Sequence, residues 1–493
     1  MKKIAGVFFL FVGTFIGLSA QKSAYSIKIV LKDYKQNEIY LGYSFADKKY
    51  LADTAKIQKG GLYVFEGNKP LTGGVYFLYT PTKLYYEFLV DDNQHFSIES
   101  DTLQFVQNAK VKDSPLNTVF FSFVSKAGPI QVKMADLAKK AEKLNAQKDS
   151  MELADIRKQN EVLNKEIKAL QDQIISQNPD LFFSKLLLGM RDPEIPENMF
   201  KKKDGSRDIQ AEALYYKTRY WDTFDFLENR LAFSEVFHGK LKTYMSRLVF
   251  PQPDSMISDA KVLFEKSAKS PDLTKYLTHF LYVFGDTSRI MGAENLAVFV
   301  GKNYYTKDKA TWADTSTLRK IKDHVTSLEP LTIGKRSPNV RLADTTGKNF
   351  PALYNVNAKY TVLVFWDPSC GHCKKDLPKL QKFYEEWKTK GVEIYAVCTQ
   401  REVEDWKKFI REEKLTFIHV AVWPDMAKSP EKYIYEMGVT DIESLNIHRT
   451  FYISSTPQIY LLDKDKNILG RRLSPEALPK LVEVFEKNAQ EKK

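Results

Sequence analysis

Hydrophobic positions change their spacing three times along this chain, and each change marks a different kind of structure. From about residue 24 to 110, short runs rich in Tyr, Phe, Val and Ile recur at turn-spaced intervals. They are Tyr25–Leu31, Glu38–Tyr43, Leu62–Glu66, Val75–Tyr79, Tyr85–Val90 and His95–Glu99. Gly60-Gly61, Gly73-Gly74 and Asp91-Asp92-Asn93 separate them, as turns require. This pattern predicts an antiparallel β domain over 24–110, a small sandwich or barrel. No cluster of catalytic residue types falls within it.

At Ser114-Pro115 the period becomes helical, with Ser suited to the cap and Pro to the first helical position. A helical domain is expected over 113–328. Leu163, Ile167, Leu170 and Ile174 repeat at 4-3-4 spacing and form a narrow seam, read as packing within the domain. His238, His279 and His324 are isolated and read as ordinary helix histidines. Residues 331–339, with Gly334 and Pro338, read as a linker.

Beyond the linker, strands alternate with helices. Strands are expected at Thr361–Trp366, Val392–Val397, Phe417–Val422, Gln458–Leu462 and Asn467–Arg472. Helices are expected at 370–390 and 402–414, after Ser429-Pro430-Glu431, and after Ser474-Pro475-Glu476. This is a sheet covered by helices on both faces, α/β in class.

Composition places the chain among globular proteins. Its 493 residues are 43% hydrophobic and 28% charged, too many for one core, so three domains are expected. The formal net charge of +12 comes from lysines interspersed with glutamates. That reads as a solvated surface, and no basic stripe interleaved with aromatics points to nucleic acid. Met1-Lys2-Lys3, an apolar run from Ile4 to Leu18 and Ser19-Ala20-Gln21 read as a secretory signal peptide over 1–20. The run is short beside the roughly 20 apolar residues of a membrane span. A soluble protein of an oxidising, periplasmic space is expected.

The three cysteines all lie in the last quarter: Cys370, Cys373 and Cys398. An exported chain with one close pair and no disulfide framework uses that pair for chemistry. Cys370-Gly371-His372-Cys373 follows an apolar strand and opens an amphipathic helix. Unpaired N–H groups and partial positive charge at a helix start lower a thiol pKa and favour the nucleophilic thiolate. The second thiol, one turn on, can displace a mixed disulfide. Cys398 ends a strand and reads as a small buried hydrophobe. A zinc site lacks its other ligands, and covalent haem needs a His where Lys374 stands. The peroxidase motif needs a Thr where Asp367 stands.

The stretch Phe365-Trp366-Asp367-Pro368-Ser369-Cys370-Gly371-His372-Cys373-Lys374-Lys375-Asp376-Leu377-Pro378 resembles the active site of exported thioredoxin-like thiol–disulfide oxidoreductases of the TlpA/ResA type. The resemblance implies a thioredoxin-like domain over 335–493. The layout of all three regions is similar to multidomain thioredoxin-like proteins of Bacteroidetes. By this resemblance Cys370 is the attacking thiolate and Cys373 the resolving thiol. Pro378 is the helix-kinking proline, and Thr456-Pro457 is the cis-proline loop that offers a backbone edge to an extended substrate. Asp376 matches an acidic residue three positions after the second cysteine, usually Glu, which would take the Cys373 proton. Thioredoxin itself uses an acid on the preceding strand, where this chain has Val364. His372 places an imidazole beside Cys370, as in protein disulfide isomerase. That predicts a potential above thioredoxin's, the two differing by about 90 mV or roughly 4 kcal/mol for two electrons. Trp366 would shield one side of the pair.

The function expected is an exported dithiol–disulfide exchanger acting on protein or peptide substrates, in the reductase or isomerase direction. It needs no organic cofactor and no metal, because the dithiol is the redox group. A membrane thiol-transfer reductant is implied as partner, nucleic acid is not, and a homodimer stays open. The alternative is a non-catalytic binding or redox-sensing protein that keeps a thioredoxin-like domain.

Overall fold

The computed structural model describes residues 23–145, 149–196, 199–400 and 402–491. The leader expected over residues 1–20 lies outside them. The chain divides into two compact units, Met1–Pro196 with Thr218–Leu241, and Glu197–Lys217 with Lys242–Lys493. An N-terminal β domain, a helical middle region and a C-terminal thioredoxin-like domain follow one another in sequence, and both units take part of the helical region.

In the first unit, eight strands form one sheet. They are β1 (Tyr25–Leu31), β2 (Glu38–Phe45), β3 (Lys48–Gln58), β4 (Leu62–Gly67), β5 (Gly74–Tyr79), β6 (Tyr85–Val90), β7 (His95–Ser100) and β8 (Lys110–Lys112). Their order is β6-β5-β2-β3-β4-β1-β7-β8. Every pairing is antiparallel except β1 with β7, which run parallel. β3 joins two halves of the sheet, pairing along most of its length with β2 and at its end with β4. Side chains from both halves, Ile27 and Phe65 from one and Leu41 and Phe88 from the other, fill a common core.

Helix α1 (Pro115–Ala141) starts where Ser114 accepts a hydrogen bond from the Asn117 N–H at 3.2 Å. Asn117 is fully buried and fastens α1 to β6: its side chain accepts from the Leu89 N–H and donates to the Leu89 carbonyl, both at 2.8 Å. α2 (Ser150–Gln177) packs on α1, and its Leu170 and Ile174 share a hollow with Val119 and Phe123 of α1. The C-terminal half of the seam therefore faces α1 within the chain.

In the second unit the helices α3 (Pro271–Thr287), α4 (Ala293–Asn303) and α5 (Thr315–Leu328) precede a six-stranded sheet. Its strands are β9 (Ala343–Asp344), β10 (Tyr360–Trp366), β11 (Val392–Cys398), β12 (Ile418–Ala421), β13 (Gln458–Leu462) and β14 (Ile468–Arg471), in the order β14-β13-β10-β11-β12-β9. The central strands β10 and β11 run parallel, and β13 runs antiparallel to β10. All seven β10 side chains are buried, because helices cover both faces. One face packs Val362, Val364 and Trp366 against α6 (Gly371–Trp387) and α7 (Leu478–Glu491). The other packs Leu363 and Phe365 against Phe451 and Ile447.

The segment read as a linker takes part in this sheet. The Gly334 N–H donates to the Ile468 carbonyl, the Ile468 N–H to the Lys335 carbonyl, and the Ser337 N–H to the Lys466 carbonyl, at 2.8–2.9 Å. The backbone there pairs with the start of β14 and satisfies the Ile468 N–H and carbonyl. Asn295 of α4 grips the same segment, donating to the Ile333 carbonyl at 3.1 Å and accepting from its N–H at 3.2 Å. Glu294, next to it, forms a buried ion pair with Arg471 of β14 at 3.4 Å. Arg472 donates to the Asp286 carbonyl of α3 at 3.1 Å.

Candidate active site

The buried strand β10 ends at Trp366, and the chain must turn before α6 can begin. Asp367 makes that turn. Its carboxylate accepts from the Ser369 N–H at 2.7 Å and the Ser369 hydroxyl at 2.6 Å, and its carbonyl accepts from the Cys370 N–H at 3.1 Å. Cys370 occupies the N-cap of α6 with extended backbone, so its Sγ stands at the positive end of the helix. Cys373 lies one turn along, on the inner face, and is fully buried. Both thiols are free, Cys370 partly accessible and Cys373 closed off.

The environments of the two sulfurs separate their acidities. Partial burial by itself would push the Cys370 pKa up. The Cys373 backbone N–H, the Thr456 hydroxyl, the Cys373 thiol and, least of these, the His372 backbone N–H outweigh that and hold it below the ordinary thiol value. For Cys373 burial wins: the thiol is pushed up to about 12, although it accepts from the Asp367 N–H at 3.5 Å. One sulfur is thus set up to be an accessible thiolate and the other a protected thiol.

The Thr456–Pro457 peptide is cis and lies beside the pair, the Cys370 thiol donating to the Thr456 carbonyl at 3.2 Å. The loop is placed there by β13, which begins at Gln458 and pairs with β10 from Phe365 down. Pro378 falls inside α6.

The structure distributes the remaining candidates unevenly. Trp366 is completely buried in the core that contains Cys373, its ring 5.3 Å from Phe409. The His372 side chain is exposed, and what this residue gives Cys370 is its backbone N–H. The Asp376 carboxylate is held by Lys379 at 3.0 Å, and Lys379 also reaches Glu476 at 2.7 Å. Among the described residues no hydrogen bond joins Asp376 to Cys373. Val364 faces the α6 side of the sheet as an apolar core residue. Cys398 is buried beside Trp366 on the neighbouring strand, and burial pushes its thiol up to about 12. Two residues were not singled out in the sequence: Asp367, whose Asp-Pro-Ser context is a turn signal ahead of a helix, and His419. Burial pushes His419 down to about 3, and its ring stands edge-on to Trp366 at 6.3 Å. Among the described residues no group of three or more His, Cys, Asp or Glu is arranged to hold a metal ion.

A buried parallel strand, a dithiol at the following helix start and a cis-proline loop across from it together define a thioredoxin-like domain of the thiol–disulfide oxidoreductase class. Residues 333–469 match the AhpC/TSA family. Thiol-disulfide oxidoreductase ResA of Bacillus thuringiensis is 27% identical over 164 residues, 33% of this chain and 83% of that protein. A solved domain of a possible thiol-disulfide isomerase from Cytophaga hutchinsonii is 36% identical over 33% of this chain and 97% of its own, with a TM-score of 0.27. A thioredoxin-like protein from Bacteroides caccae covers 60% of this chain and 98% of its own at 18% identity and a TM-score of 0.43. Residues 25–120 match a family described as a domain of unknown function, DUF4369. No helix among the described residues is long and apolar enough to cross a membrane.

Proposed function

We propose that this protein exchanges its Cys370–Cys373 dithiol or disulfide with protein substrates outside the cytoplasm, in the reductase or isomerase direction. The observation that carries the reading is the contrast between the two sulfurs. Cys370 is accessible, acidified and 3.2 Å from the Thr456 carbonyl, while Cys373 is buried and held protonated.

The Cys370 thiolate attacks one sulfur of a substrate disulfide, and the other substrate sulfur leaves as a thiolate. The substrate backbone lies along the Thr456–Pro457 edge. Cys373 then gives up its proton and attacks the Cys370 sulfur. The Cys370–Cys373 disulfide forms, and the second substrate thiolate departs. Two electrons have passed from the protein to the substrate, and a thiol-transfer partner restores them. Asp376 takes the Cys373 proton, for which its carboxylate has to leave Lys379. The apolar leader at the N-terminus supports export, and the AhpC/TSA match and ResA relatives support the chemistry.

Insulin reduction in the presence of dithiothreitol tests this. The wild-type chain should accelerate precipitation and Cys370→Ser should not. With dithiothreitol removed, reduced Cys373→Ser should accumulate a mixed disulfide with insulin. Asp376→Asn should slow resolution while leaving Cys370 alkylation unchanged. Equal activity of wild type and Cys370→Ser would refute the reading.

A further inference from the structure

A second candidate site lies in the helical part of the second unit. α4 and α5 approach closely because Gly301 has no side chain: a Cβ there would stand 2.4 Å from Val325 Cγ2. Where the chain leaves α4, at Tyr305–Lys307, a hollow of about 700 Å³ opens against α5, within the range that holds small-molecule ligands.

Its lining has two parts. The floor is apolar: Leu318, Val325 and the ring of Tyr305, which stands edge-on to Tyr282 at 5.4 Å. The rim is cationic: Lys302, Lys307, Arg319 and Lys322. Glu329 neutralises Lys302 at 2.7 Å. Among the described residues the other three have no ion-pair partner. Of the acids nearby in sequence, Asp314 caps α5 by accepting from the Thr317 N–H at 2.7 Å, Asp308 interacts with Thr306 and Lys309, and Asp323, next to Lys322 on α5, makes no ion pair among the described residues. Arg319 and Lys322 are three apart on α5 and so share a face, to which Thr315 adds a hydroxyl, while the Thr326 hydroxyl donates to the Lys322 carbonyl at 2.8 Å.

Lysines scattered over a surface are ordinary, and most of those in this chain belong to that category. Three unneutralised cations converging on one concave, apolar-floored hollow are not, because each raises the electrostatic cost of the others until an anion enters. The guanidinium fork of Arg319 suits a planar or tetrahedral oxyanion. The floor suits an apolar body.

We propose that this hollow binds a small amphiphilic oxyanion, with the anionic head against Arg319, Lys322 and Lys307 and the apolar part over Leu318 and Tyr305. The head is an ionised phosphate ester or a free carboxylate, of either a free molecule or a lipid. The proposal is independent of the thiol chemistry.

Isothermal titration of the full chain with octyl phosphate tests it. Saturable 1:1 binding is expected, at least tenfold weaker in Arg319→Gln/Lys322→Gln and in Leu318→Asp. Inorganic phosphate and octanol should each bind at least tenfold more weakly than octyl phosphate. Lys309→Gln/Lys320→Gln removes the same charge outside the hollow and should stay within twofold of wild type. Unchanged Cys370 alkylation certifies that each variant is folded. Sedimentation with phosphatidylglycerol vesicles, lost in the Arg319/Lys322 variant, would assign the head to a bilayer lipid; 1:1 binding without sedimentation would assign it to a free molecule. Absence of saturable binding, or an equal loss in the Lys309/Lys320 control, overturns the proposal.

Discussion

Removing the carboxylate of Glu294 should destabilise the second unit more than any exposed ion pair could. Glu294 and Arg471 are 3.4 Å apart with side chains 5% and 1% exposed. At that separation two unit charges attract by about 5 kcal/mol for an effective dielectric constant near 20. That attraction offsets the desolvation of both groups, so the intact pair contributes little net stability. In Glu294→Ala the guanidinium stays buried over the Tyr460 ring, 5.7 Å from its centroid, with no counter-charge. The cost of such an orphaned charge is about 3–5 kcal/mol. Glu294→Leu/Arg471→Met removes both charges at similar volume and should return to within about 1 kcal/mol of wild type. Urea unfolding followed by tryptophan fluorescence reports on this unit, because Trp312, Trp366, Trp387, Trp406 and Trp423 lie in it and Trp221 alone lies in the other. With a slope of about 2–3 kcal/mol per molar, the midpoint of the single variant should fall by about 1–2.5 M. A fall below about 0.3 M, or a double variant as unstable as the single one, would refute the assignment of this pair as a buried charge clasp.

The other predictions concern the thiols and two packing points. At pH 7.5 iodoacetamide should label Cys370 alone, with Cys373 and Cys398 reacting only after unfolding; labelling of Cys373 in the folded reduced chain would contradict its burial. Both buried thiols have pKa values raised from 9 to about 12. Each therefore favours folding fully below pH 9, and that contribution is lost as pH rises from 9 towards 12, where the unfolded state ionises first. Cys398→Ala should flatten the fall in midpoint between pH 8 and 10.5 by removing one such group. His372→Pro deletes the N–H that helps hold the Cys370 pKa down and should raise it in an alkylation–pH profile, whereas His372→Ala keeps that N–H. The wild-type potential against glutathione should lie above about −270 mV, and the Pro variant's should be lower than wild type's. Asn117→Ala leaves the buried Leu89 N–H and carbonyl unmatched and should cost the first unit about 2–4 kcal/mol in thermal unfolding. Gly285→Ala would bring a Cβ within 2.5 Å of the Ala297 nitrogen and should prise α3 from α4, costing about 1–3 kcal/mol or more.

What the sequence made legible followed from periodicity and from strong local signals. The strands from Tyr25, Tyr85 and Gln458, the Ser114 cap and the helix starting at Cys370 all stand where apolar spacing and capping residues put them. β3 escaped the reading because its side chains are mostly exposed and Lys48-Lys49-Tyr50-Leu51-Ala52-Asp53 shows no alternation. The parallel pairing of β1 with β7 is a relation between segments some 70 residues apart, which no local pattern encodes. The dithiol was readable because its residue types, strand and helix are contiguous. The Asp376–Lys379–Glu476 chain was not, since Glu476 comes from a segment a hundred residues later and competes for the lysine that holds the carboxylate. The exposure of the His372 side chain was equally hidden: at the first turn of a helix, sequence fixes where the backbone N–H points and leaves the side chain free.

The strand-like run of residues 334–337 beside β14 has a practical bearing on how the redox portion is handled in isolation. A fragment begun after Ser337 would strip that cover and open the Ile468 N–H and carbonyl and the Lys466 carbonyl. Such a border invites neighbouring molecules to add on. Arg471 in the same fragment would lose Glu294 and be uncovered. Excised pieces should therefore start upstream of α4, so that this border and Arg471 keep their native partners.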